Sequence, residues 1–421
     1  MRGSDSSSAV RERSRARETE AAGSRAPRVQ FEGAYGTNLG VRANDERLRV
    51  ALLDSIPLWG GGQKWDLQAA LSLTRRGHFV AIACAEGSAL EARARNAGIP
   101  VWSAPVGRLG WRFGSAISLA RFLRRERIAL VIGNVGRDLR LGAAACWLTG
   151  DALVQRRGLL RPLRRGAFRR WLYARFVRRV IVNSEALRRL VLESAPYLGA
   201  RVVLLPNAIE IDEPRGHGDQ RLRAELGIAR DALLVGAVGR LTPMKGFEHL
   251  LAAWPLVRER HPAARLVIFG EGELRGALEQ QAARLGIAGS VSLAGFRNDV
   301  GTLYDALDLF VLPSVRDESM SHAVLEAMAQ AKPVVMTDSA GEGAELGRES
   351  GACRVVPAGD ERALALAIVE LLGDRGARER MGRAARETVL REHSLEHATD
   401  RLEQILREVR GERSRGARPF P

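Results

Sequence analysis

The chain has 421 residues, of which 46% are hydrophobic and 27% are charged. Those values are typical of folded proteins, and the length suggests two or three globular domains, so a wholly disordered chain is excluded. The longest apolar run, 141–150, is about half of what a membrane-spanning helix needs, and no apolar leader is recognisable at the N-terminus. The three cysteines are too far apart for a disulfide framework or a Cys-x-x-Cys site, which predicts a reducing, cytoplasmic location.

The net charge is +16, and 62 of the 65 basic residues are arginine. The three lysines are Lys64, Lys245 and Lys332. A strongly basic chain favours an anionic partner, which leaves nucleic acid, a phospholipid surface and a phosphorylated substrate open. Aromatic residues make up only 5% of the chain and do not interleave with a basic motif, so no nucleic-acid partner is predicted.

The chain divides by composition into tails, two similar halves and a linker. Residues 1–45 and 411–421 contain many charged and few large apolar side chains, and they are predicted to be tails. Between them, short β-branched runs alternate with longer amphipathic segments, the pattern of a parallel α/β architecture. The predicted divisions are a first Rossmann-like domain over 46–210, a linker rich in Pro, Gly and charge over 211–230, a second Rossmann-like domain over 231–392 and a last helix over 393–410.

The individual elements follow from the spacing of the apolar residues. First-domain strands are expected at 48–53, 79–85, 128–132, 180–182 and 202–205, with helices at 63–76 and 89–97. Second-domain strands are expected at 233–238, 265–269, 291–293, 309–312, 333–337 and 353–356, with helices at 247–259, 273–285, 361–372, 375–392 and 394–409. Two doubly wound halves place a ligand cleft between the domains, at the carboxyl ends of the strands.

Two loops at predicted strand ends have the chemistry of a phosphate site. Gly60, Gly61 and Gly62 separate the first strand from the first helix, where glycine lets backbone N–H groups approach an anion at a helix start. A tight turn would use the same glycines. In the second domain, Arg240 and Lys245 follow the first strand, and together they can hold a diphosphate, arginine through two hydrogen bonds and lysine as a point charge.

Glu318 and Glu326 flank the start of a predicted helix that Pro333 ends. The rise of an α-helix separates the two carboxylates by roughly 8–12 Å, which suits hydrogen bonds from hydroxyl groups at opposite ends of one polyol ligand. The backbone amides of 319–321 would face the same ligand from the helix start. The alternative interpretation, which needs no ligand, is that Glu318 is an acid at a helix start and Glu326 is a solvated glutamate.

Other catalytic and cofactor motifs are missing from the sequence. The run Gly270-Glu271-Gly272 loosely matches a dinucleotide fingerprint, but Arg275 occupies the place of the third glycine, so NAD binding is not expected. No Asp-x-Asp pair and no closely spaced histidine pair occurs, so no metal site is predicted. A Gly-x-Ser-x-Gly nucleophile motif is also missing.

Taken in order, the motifs resemble those of the group 1 glycosyltransferases, family 4 of the sequence classification. The resemblance runs from about 48 to 406 and rests on these segments: Trp59-Gly60-Gly61-Gly62, Arg76-Gly77-His78, Val182-Asn183-Ser184-Glu185, Leu205-Pro206-Asn207-Ala208, Val238-Gly239-Arg240, Lys245-Gly246, Gly270-Glu271-Gly272, Ala294-Gly295-Phe296, Pro313-Ser314, the E-x7-E pair and Val356-Pro357-Ala358-Gly359-Asp360. Members of that family have the GT-B fold, two facing Rossmann-like domains with an interdomain cleft, and their last helix usually crosses back to the first domain. They transfer sugar from a nucleotide-sugar with retention of anomeric configuration and without an essential metal.

The resemblance implies a role for each residue that matches a family motif. Arg240 and Lys245 would hold the donor diphosphate and stabilise the leaving charge, with Glu318 on the sugar hydroxyls near the reacting centre and Glu326 on the ribose. The other implied donor-binding residues are Gly61 and Gly62 over the diphosphate, Phe296 and Arg297 beside the base, and Ser319, Met320 and Ser321 in the sugar-binding loop. No cofactor is implied beyond the donor itself, a UDP-, GDP- or ADP-sugar.

The sequence departs from the family pattern at two places. Many members carry a histidine near the end of the fourth strand of the first domain, whereas this chain reads Ile132-Gly133-Asn134-Val135-Gly136-Arg137. The Gly-Phe-Gly that usually follows the first glutamate is replaced by Ser-Met-Ser. The acceptor chemistry and the donor sugar therefore stay open, and the candidate acceptor-binding residues are Asn134, Arg137 and Arg156.

Residues 152–184 contain ten arginines and no acid, interleaved with apolar side chains at roughly helical spacing. That pattern predicts a basic amphipathic helix that could attach the first domain to an anionic membrane surface, and hence a lipid-linked or phosphorylated glycan as acceptor. An arginine-rich solvated face over a packed domain explains the same pattern.

The leading hypothesis is a metal-independent, retaining glycosyltransferase of cell-envelope glycan synthesis, either cytoplasmic or peripheral on the inner face of the membrane. A GT-B sugar-nucleotide epimerase would share the architecture but not the Arg–Lys and E-x7-E set. A glycan phosphorylase would need a pyridoxal lysine, and Lys332 has no supporting motif. A non-catalytic basic protein that binds anionic ligands is the remaining alternative.

Overall fold

The computed structural model describes residues 47–414 apart from 108–109, 112–113, 212–219, 298–299, 342–343, 345–346 and 348–349. The predicted tail over 1–45 and most of the tail over 411–421 lie outside the described residues. All described residues fall within one unit of the chain, Arg47–Pro421. That unit contains two lobes, each built on one parallel sheet.

The first lobe contains a seven-stranded parallel sheet in the order β3-β2-β1-β6-β7-β8-β9. The strands are β1 (Arg49–Asp54), β2 (Phe79–Ala85), β3 (Val101–Ala104), β6 (Leu130–Gly133), β7 (Ala152–Arg157), β8 (Val177–Val182) and β9 (Val202–Leu204), and the hairpin strands are β4 (Val106–Gly107) and β5 (Gly110–Trp111). The helices are α1 (Gly61–Arg75), α2 (Ala89–Asn96), α3 (Ser115–Arg125), α4 (Gly136–Thr149), α5 (Ala167–Phe176) and α6 (Glu185–Ser194).

The second lobe contains a six-stranded parallel sheet in the order β12-β11-β10-β13-β14-β15. The strands are β10 (Leu234–Val238), β11 (Arg265–Phe269), β12 (Val291–Gly295), β13 (Leu309–Leu312), β14 (Val334–Thr337) and β15 (Cys353–Val356). The helices are α7 (Gln220–Glu225), α8 (Phe247–Arg260), α9 (Arg275–Arg284), α10 (Val300–Asp305), α11 (His322–Ala329), α12 (Glu361–Gly373), α13 (Arg375–Glu392) and α14 (Leu395–Ser414), the last of which returns to the first lobe.

Both sheets are covered by helices on both faces, which is why their strands read as nearly continuous apolar runs. In β1, Val50 and Leu52 belong to the core that contains α1, whereas Ala51 and Leu53 belong to the core on the other face. Successive side chains of a strand point to opposite faces, so one short run supplies both cores. The predicted α/β fold of two facing, doubly wound halves is therefore confirmed.

Two segments of the chain cross between the lobes and hydrogen-bond each other. The N–H of Ile209 donates to the carbonyl of His393, and the N–H of Leu395 donates to the carbonyl of Ile209, both at 3.0 Å. Beyond this crossing, α14 lies on the first lobe, where Arg76 donates to Glu403 at 3.2 Å. The apolar side chains of α14 that complete the first-lobe core are Leu402, Ile405, Leu406 and Val409.

The described elements differ from the predicted ones at several places. The segment 211–230, predicted as a linker, contains α7, which is anchored because Arg223 donates hydrogen bonds to the carbonyls of Ala232 and Ala306. Helix α14 continues to Ser414, past the predicted start of the tail at 411. Strands β3 and β7 were not predicted.

The basic segment 152–184 is only partly helical: the strand expected at 180–182 is present, but the helical stretch expected before it is shorter. It consists of β7, a loop over 158–166, the ten-residue helix α5, and β8. Val154, Val180 and Val182 are buried in the sheet, because β7 and β8 pair with each other and with a further parallel strand on either side. Strand pairing thus overrides the helical spacing, and only the middle of the segment is helical.

Candidate active site

Each sheet reverses its strand order at one place, between β1 and β6 in the first lobe and between β10 and β13 in the second. Such a reversal opens a crevice at the carboxyl ends of parallel strands, because the loops leave in opposite directions. All four loops that begin there carry predicted residues. Strands β1 and β6 lead to the glycine loop and to Asn134, β10 leads to Arg240 and Lys245, and β13 leads to Glu318.

Glycines allow the second-lobe loops to pack at contact distance. Gly246 has a φ of 63°, and a Cβ at this position would lie 2.2 Å from the carbonyl oxygen of Pro313. Gly270 has a φ of 146°, and a Cβ there would lie 1.9 Å from the carbonyl oxygen of Gly239. Only glycine fits such positions. The Gly270-Glu271-Gly272 motif therefore packs one strand-end loop against the loop that carries the two predicted cations.

Lys245 forms an ion pair with Glu318, the carboxylate predicted to bind the donor sugar. Oε2 of Glu318 also accepts a hydrogen bond from Ser314 Oγ at 3.2 Å. The two charged side chains are only 16% and 12% exposed, whereas Arg240 on the same loop is exposed. The loops after β10 and β13 thus hold a cation and an acceptor of hydroxyl hydrogen bonds side by side.

Glu326, on α11, contacts residues of both lobes. Its Oε1 pairs with Nζ of Lys64, which lies in the first turns of α1 on the first lobe. Its Oε2 accepts a hydrogen bond from Tyr304 Oη at 3.0 Å. Burial, together with the adjacent Glu326 carboxylate, raises the pKa of Tyr304 well above its usual value, so this side chain stays a hydroxyl donor.

The glycine loop faces the second lobe. A Cβ on Gly60 would lie 3.9 Å from Nε of Arg240, and a Cβ on Gly61 would lie 3.4 Å from Nδ1 of His322. Since Gly61 begins α1 and His322 begins α11, the starts of two helices, one from each lobe, meet at the same place. Helix starts carry free N–H donors and partial positive charge, and this arrangement therefore favours an anion.

His322 is neutral in this setting. Burial first, and then the charges of Lys64 and Arg156, lower the pKa of His322 to about 3. Its Nδ1 lies 3.5 Å from the amide nitrogen of Asn207, while its Nε2 has no hydrogen-bond partner among the described residues. The imidazole thus adds no charge to the cleft at neutral pH.

The segment 319–321, predicted to line the donor site, also joins the lobes. Ser319 Oγ lies 3.0 Å from Asn183 Oδ1 and 2.7 Å from Ser184 Oγ at the end of β8. The carbonyl of Met320 accepts a hydrogen bond from Asn207 Nδ2 at 2.8 Å. These groups are buried, so the hydroxyl that replaces the usual glycine is committed to the first lobe and does not face the cleft.

A second contact between the lobes lies next to Glu318. Arg161, in the loop 158–166, pairs with Asp317, and this hydrogen bond lowers the pKa of the Asp317 carboxyl. Asp317 has a φ of 60°, an unusual conformation for a residue other than glycine. The basic loop of the first lobe is therefore anchored one residue away from the predicted sugar-binding carboxylate.

Arg156, a predicted acceptor-binding residue, is 5% exposed. Its guanidinium lies 4.4 Å from the ring centroid of Trp65 and donates to Asn207 Oδ1 at 2.9 Å. Burial lowers the pKa of Arg156 to about 10, and the nearby carboxylates of Asp66 and Asp54 oppose that shift. The structure therefore places Arg156 within the first-lobe interior, where it supports Asn207 and does not present a free cation to an acceptor.

Asn134, the second predicted acceptor residue, bridges two buried acids. Its Nδ2 lies 2.6 Å from Asp66 Oδ2 and 3.1 Å from Asp54 Oδ2, and Gln63 Nε2 donates to Asp54 at 2.8 Å. Burial, followed by the charge of Asp54, raises the pKa of Asp66 well above its usual value. Asn134 thus holds the acids beneath the glycine loop in place.

The remaining predicted residues lie at the edges of the cleft. Arg137 donates to the hydroxyl of Ser55 and, at 3.1 Å, to its carbonyl. Phe296 is half exposed, and the guanidinium of Arg93 on the first lobe lies 5.7 Å from its ring centroid. Arg297 pairs with Glu225 of α7. Phe296 and Arg297 therefore lie at the second-lobe edge of the cleft, where they can border a base.

The described residues contain neither a metal-binding cluster nor a membrane-spanning helix. No group of three His, Cys, Asp or Glu side chains in the described ranges is placed to hold a metal ion. No helix in the described part of the chain has the length and apolar character to cross a bilayer.

Four residues at this site were not predicted from the sequence: Lys64, Asn207, Tyr304 and His322. Asn207 lies in a segment that carried the family resemblance, but the sequence gives no sign of its contact with 320. Lys64 had a usable signal, because it is one of three lysines in a chain that otherwise uses arginine. Tyr304 and His322 had none.

Two family models match the chain and together span most of it. The model described as "Glycosyltransferase Family 4" matches residues 59–213, and the model described as "Glycosyl transferases group 1" matches residues 218–388. The first match ends four residues after Ile209, which lies at the described crossing between the lobes. The family resemblance expected from the motifs is thus confirmed.

Among curated proteins, the chain is 34% identical over 184 residues to the lipopolysaccharide core biosynthesis glycosyltransferase LpsE of Rhizobium meliloti, covering 44% of this chain and 52% of that protein. It is 32% identical over 232 residues to the phosphatidyl-myo-inositol mannosyltransferase of Mycobacterium leprae, covering 54% and 58%. The matched region spans little more than half the length of either relative.

Among solved structures, the chain is similar to HepE of Anabaena in complex with UDP and glucose, with a TM-score of 0.75 and 23% identity. The match covers 86% of this chain and 100% of that one. At this level of identity the likeness concerns the fold, and it agrees with two Rossmann-like domains facing a cleft.

Proposed function

The chain belongs to the group 1, family 4 glycosyltransferases, and we propose that it transfers a sugar from a nucleotide-sugar to a cell-envelope glycan with retention of configuration. The observation that most supports this is the meeting of Arg240, Lys245 and Lys64 with Glu318 and Glu326 at the facing strand ends. These five side chains carry one net positive charge when all are ionised, and two helix starts add to it. Such a site suits a diphosphate with hydroxyl-bearing groups on either side.

In the proposed reaction, the bond between the sugar and the diphosphate breaks toward an oxocarbenium-like state. Arg240 and Lys245 stabilise the negative charge that develops on the leaving phosphate. Glu318 accepts hydrogen bonds from the sugar and Glu326 from the ribose, so the donor is fixed at both ends. The acceptor hydroxyl then attacks the anomeric carbon from the face that the leaving group occupied and passes its proton to the departing phosphate oxygen. Because side chains supply the positive charge, the reaction needs no metal.

The test is a panel of UDP-, GDP- and ADP-sugars, with release of free nucleotide as the readout. Lys245→Ala is the inactive control. A glycosyltransferase releases nucleotide faster when acceptor is added, whereas an epimerase changes the sugar and releases none. Turnover should persist in a chelator, and a strict requirement for Mg²⁺ or Mn²⁺ would contradict the metal-free mechanism. No binding and no turnover of any donor would refute the proposed function.

For the acceptor, we propose a lipid-linked or phosphorylated glycan reached at an anionic membrane surface. On α5, Phe168 and Trp171 are 64% and 53% exposed, and their rings stack at 5.8 Å. Arginines surround these two side chains at 164, 165, 169, 170 and 175, and the segment 152–184 contains no acidic residue. Exposed aromatics with a basic surround are typical of an interfacial helix, and each basic residue contributes about 1 kcal/mol near anionic lipid.

Vesicle co-sedimentation tests this proposal. The wild type should bind vesicles with about 30% anionic lipid in low salt, and binding should fall with salt because the contact is electrostatic. Changing Arg164, Arg165, Arg169 and Arg170 to Gln should weaken binding about tenfold or more. The matched control changes four exposed second-lobe arginines, at 362, 375, 383 and 391, and should bind as the wild type does. Equal loss in both variants would contradict a specific surface on α5.

A further inference from the structure

Lys64 contributes charge to the proposed site, but the reaction described above gives it no contact with the donor. It lies in the first turns of α1, immediately after the glycine loop, and its Nζ reaches across the cleft to Glu326. With Tyr304 on the other oxygen, both oxygens of Glu326 have protein partners. A ribose whose hydroxyls donate to Glu326 must therefore share this carboxylate with an ammonium group or displace it.

The surroundings of Lys64 offer that ammonium a second position. The glycine loop that precedes it lies against Arg240, since a Cβ on Gly60 would approach Nε to 3.9 Å. A diphosphate held by Arg240, Lys245 and the start of α1 would therefore lie within the reach of a four-carbon lysine side chain on the same helix turn. Lysine suits an exchange of partners because its charge is compact and its stem is flexible, whereas arginine favours fixed two-point contacts.

We propose that Lys64 is a phosphate ligand of the donor, held by Glu326 when the cleft is empty. When a nucleoside diphosphate enters, its ribose hydroxyls take over Glu326 and Lys64 turns to the diphosphate. This inference rests on the proposed function and adds to it a cation from the first lobe. The diphosphate is then held by charges from both lobes, which couples its binding to the contact between them.

This exchange of partners affects the binding of a nucleoside and of a nucleoside diphosphate in opposite directions. A nucleoside without phosphates must compete with Lys64 for Glu326 and offers the displaced ammonium nothing in return. A nucleoside diphosphate competes for the same carboxylate but supplies a new anionic partner. Lys64 therefore weakens the binding of the nucleoside and strengthens that of the diphosphate, an effect that a lysine acting only as a structural tie cannot produce.

The experiment measures dissociation constants by calorimetry for uridine and UDP, guanosine and GDP, and adenosine and ADP. The wild type is compared with Lys64→Met, which keeps the length of the side chain without its charge, and with Lys64→Arg, which restores a cation. For the base that binds, Lys64→Met should bind the nucleoside several-fold more tightly and the diphosphate about tenfold more weakly, and Lys64→Arg should recover most of the diphosphate affinity. Thermal unfolding verifies that both variants fold.

Equal shifts of nucleoside and diphosphate affinity in Lys64→Met would overturn the inference, because Lys64 would then act only on the contact between the lobes. Unchanged affinities for both ligands would overturn it as well. These outcomes leave the proposed function standing, since the wild type still binds nucleotide. If the wild type binds none of the six ligands at millimolar concentration, the proposed function fails and the role of Lys64 fails with it.

Discussion

The two lobes both place acidic side chains near the strand ends that face the cleft, but in opposite surroundings. In the first lobe, Asp66 and Asp138 are fully buried beside Asp54, and burial raises the pKa of each, to about 7 for Asp138. In the second lobe, Glu318 and Glu326 lie near the surface of the cleft, and each pairs with a lysine.

This difference separates acids that build the cleft from acids that can bind a ligand. Burial favours the neutral form of an acid, which is then useful as a hydrogen-bonding part of the scaffold. An acid that is paired with a flexible lysine at the rim can exchange that partner for ligand hydroxyls. Carboxylic side chains therefore support the fold in the first lobe and can bind a ligand in the second, and their degree of burial determines which role they have.

The largest expected effect is that of Glu318→Ala compared with Asp54→Ala. Loss of Glu318 should lower kcat/KM roughly 100- to 1,000-fold, about 3–4 kcal/mol, because the sugar loses its acceptor near the reacting centre. Its Tm should stay within about 2 °C of the wild type. Asp54→Ala should instead lower the free energy of unfolding by about 2–3 kcal/mol, because Gln63 and Asn134 lose a buried acceptor.

Kinetics with the donor found in the panel, together with thermal unfolding, would measure both variants. The proposed difference between the lobes is contradicted if Glu318→Ala lowers the free energy of unfolding as much as Asp54→Ala does. It is also contradicted if Glu318→Ala keeps the kcat/KM of the wild type.

The next effect is on the pH dependence of stability. Burial first, and then the charge of Asp54, raise the pKa of Asp138 to about 7 in the folded protein. Between about pH 4 and pH 7 the unfolded chain has released a proton that the folded protein keeps, so the free energy of unfolding falls as pH rises through that window. Asp138→Asn removes this loss, and relative to the wild type it should gain up to about 3 kcal/mol from pH 5 to pH 7.

Urea unfolding at pH 5, 6 and 7 measures this gain. The amide oxygen of Asn can still accept the hydrogen bond from the Val135 N–H, made now at 3.0 Å, so the start of α4 should be kept. A constant difference between variant and wild type at all three pH values would contradict a raised pKa.

A smaller effect is expected at the buried contact between the lobes. Ser319→Gly removes the hydroxyl that contacts Asn183 and Ser184, which should cost about 1–2 kcal/mol and favour more open lobes. Ser321→Gly is the matched control, since the Ser321 side chain makes no capping hydrogen bond at α11. Small-angle scattering should show a larger radius of gyration for the first variant only. Equal radii for the two variants would contradict the assigned contact.

The smallest expected effect on stability, that of Asp66→Asn, tests the difference between the acids of the two lobes most directly. Burial raises the pKa of Asp66 well above its usual value and so favours the uncharged carboxyl group, for which the amide of Asp66→Asn is a close match in shape and hydrogen bonding. Its free energy of unfolding should change by less than about 1 kcal/mol. Glu326→Gln, the same change at the rim, should weaken nucleotide binding about tenfold. A strong loss of stability in Asp66→Asn would show that the charged form matters in the first lobe as well.

The fold was accessible from the sequence because its signals are local. The strands 79–85, 265–269, 309–312 and 353–356 were predicted to the residue, each as an apolar run between polar boundaries. Strand β7 was missed because its apolar run is only three residues long and is followed by Gln155, Arg156 and Arg157. A guanidinium occupies that position only because Trp65 and Asn207 receive it, and these partners come from other parts of the chain.

The candidate site likewise contains some residues that the sequence indicated and others that it did not. Residue types at strand ends could be recognised from their spacing, which located Arg240, Lys245 and Glu318 as candidates. Their partners could not be recognised, since Lys64 and Glu326 are 262 residues apart and meet only when both lobes have folded and docked. The replacement of glycine by Ser319 was visible in the sequence, but its hydroxyl has a meaning only beside Asn183.

The return of α14 to the first lobe has a consequence for synthesis on the ribosome. The first-lobe residues emerge first, yet the core between β1 and α1 also needs Leu402, Ile405, Leu406 and Val409. During translation the hydrophobic core of the first lobe therefore stays incomplete until α14 is synthesised, whereas the second lobe, although it is made later, can complete its core before then. A chain that stops before α14 leaves apolar surface uncovered on the lobe it began with, so the last helix makes completion of the first lobe depend on completion of the whole protein.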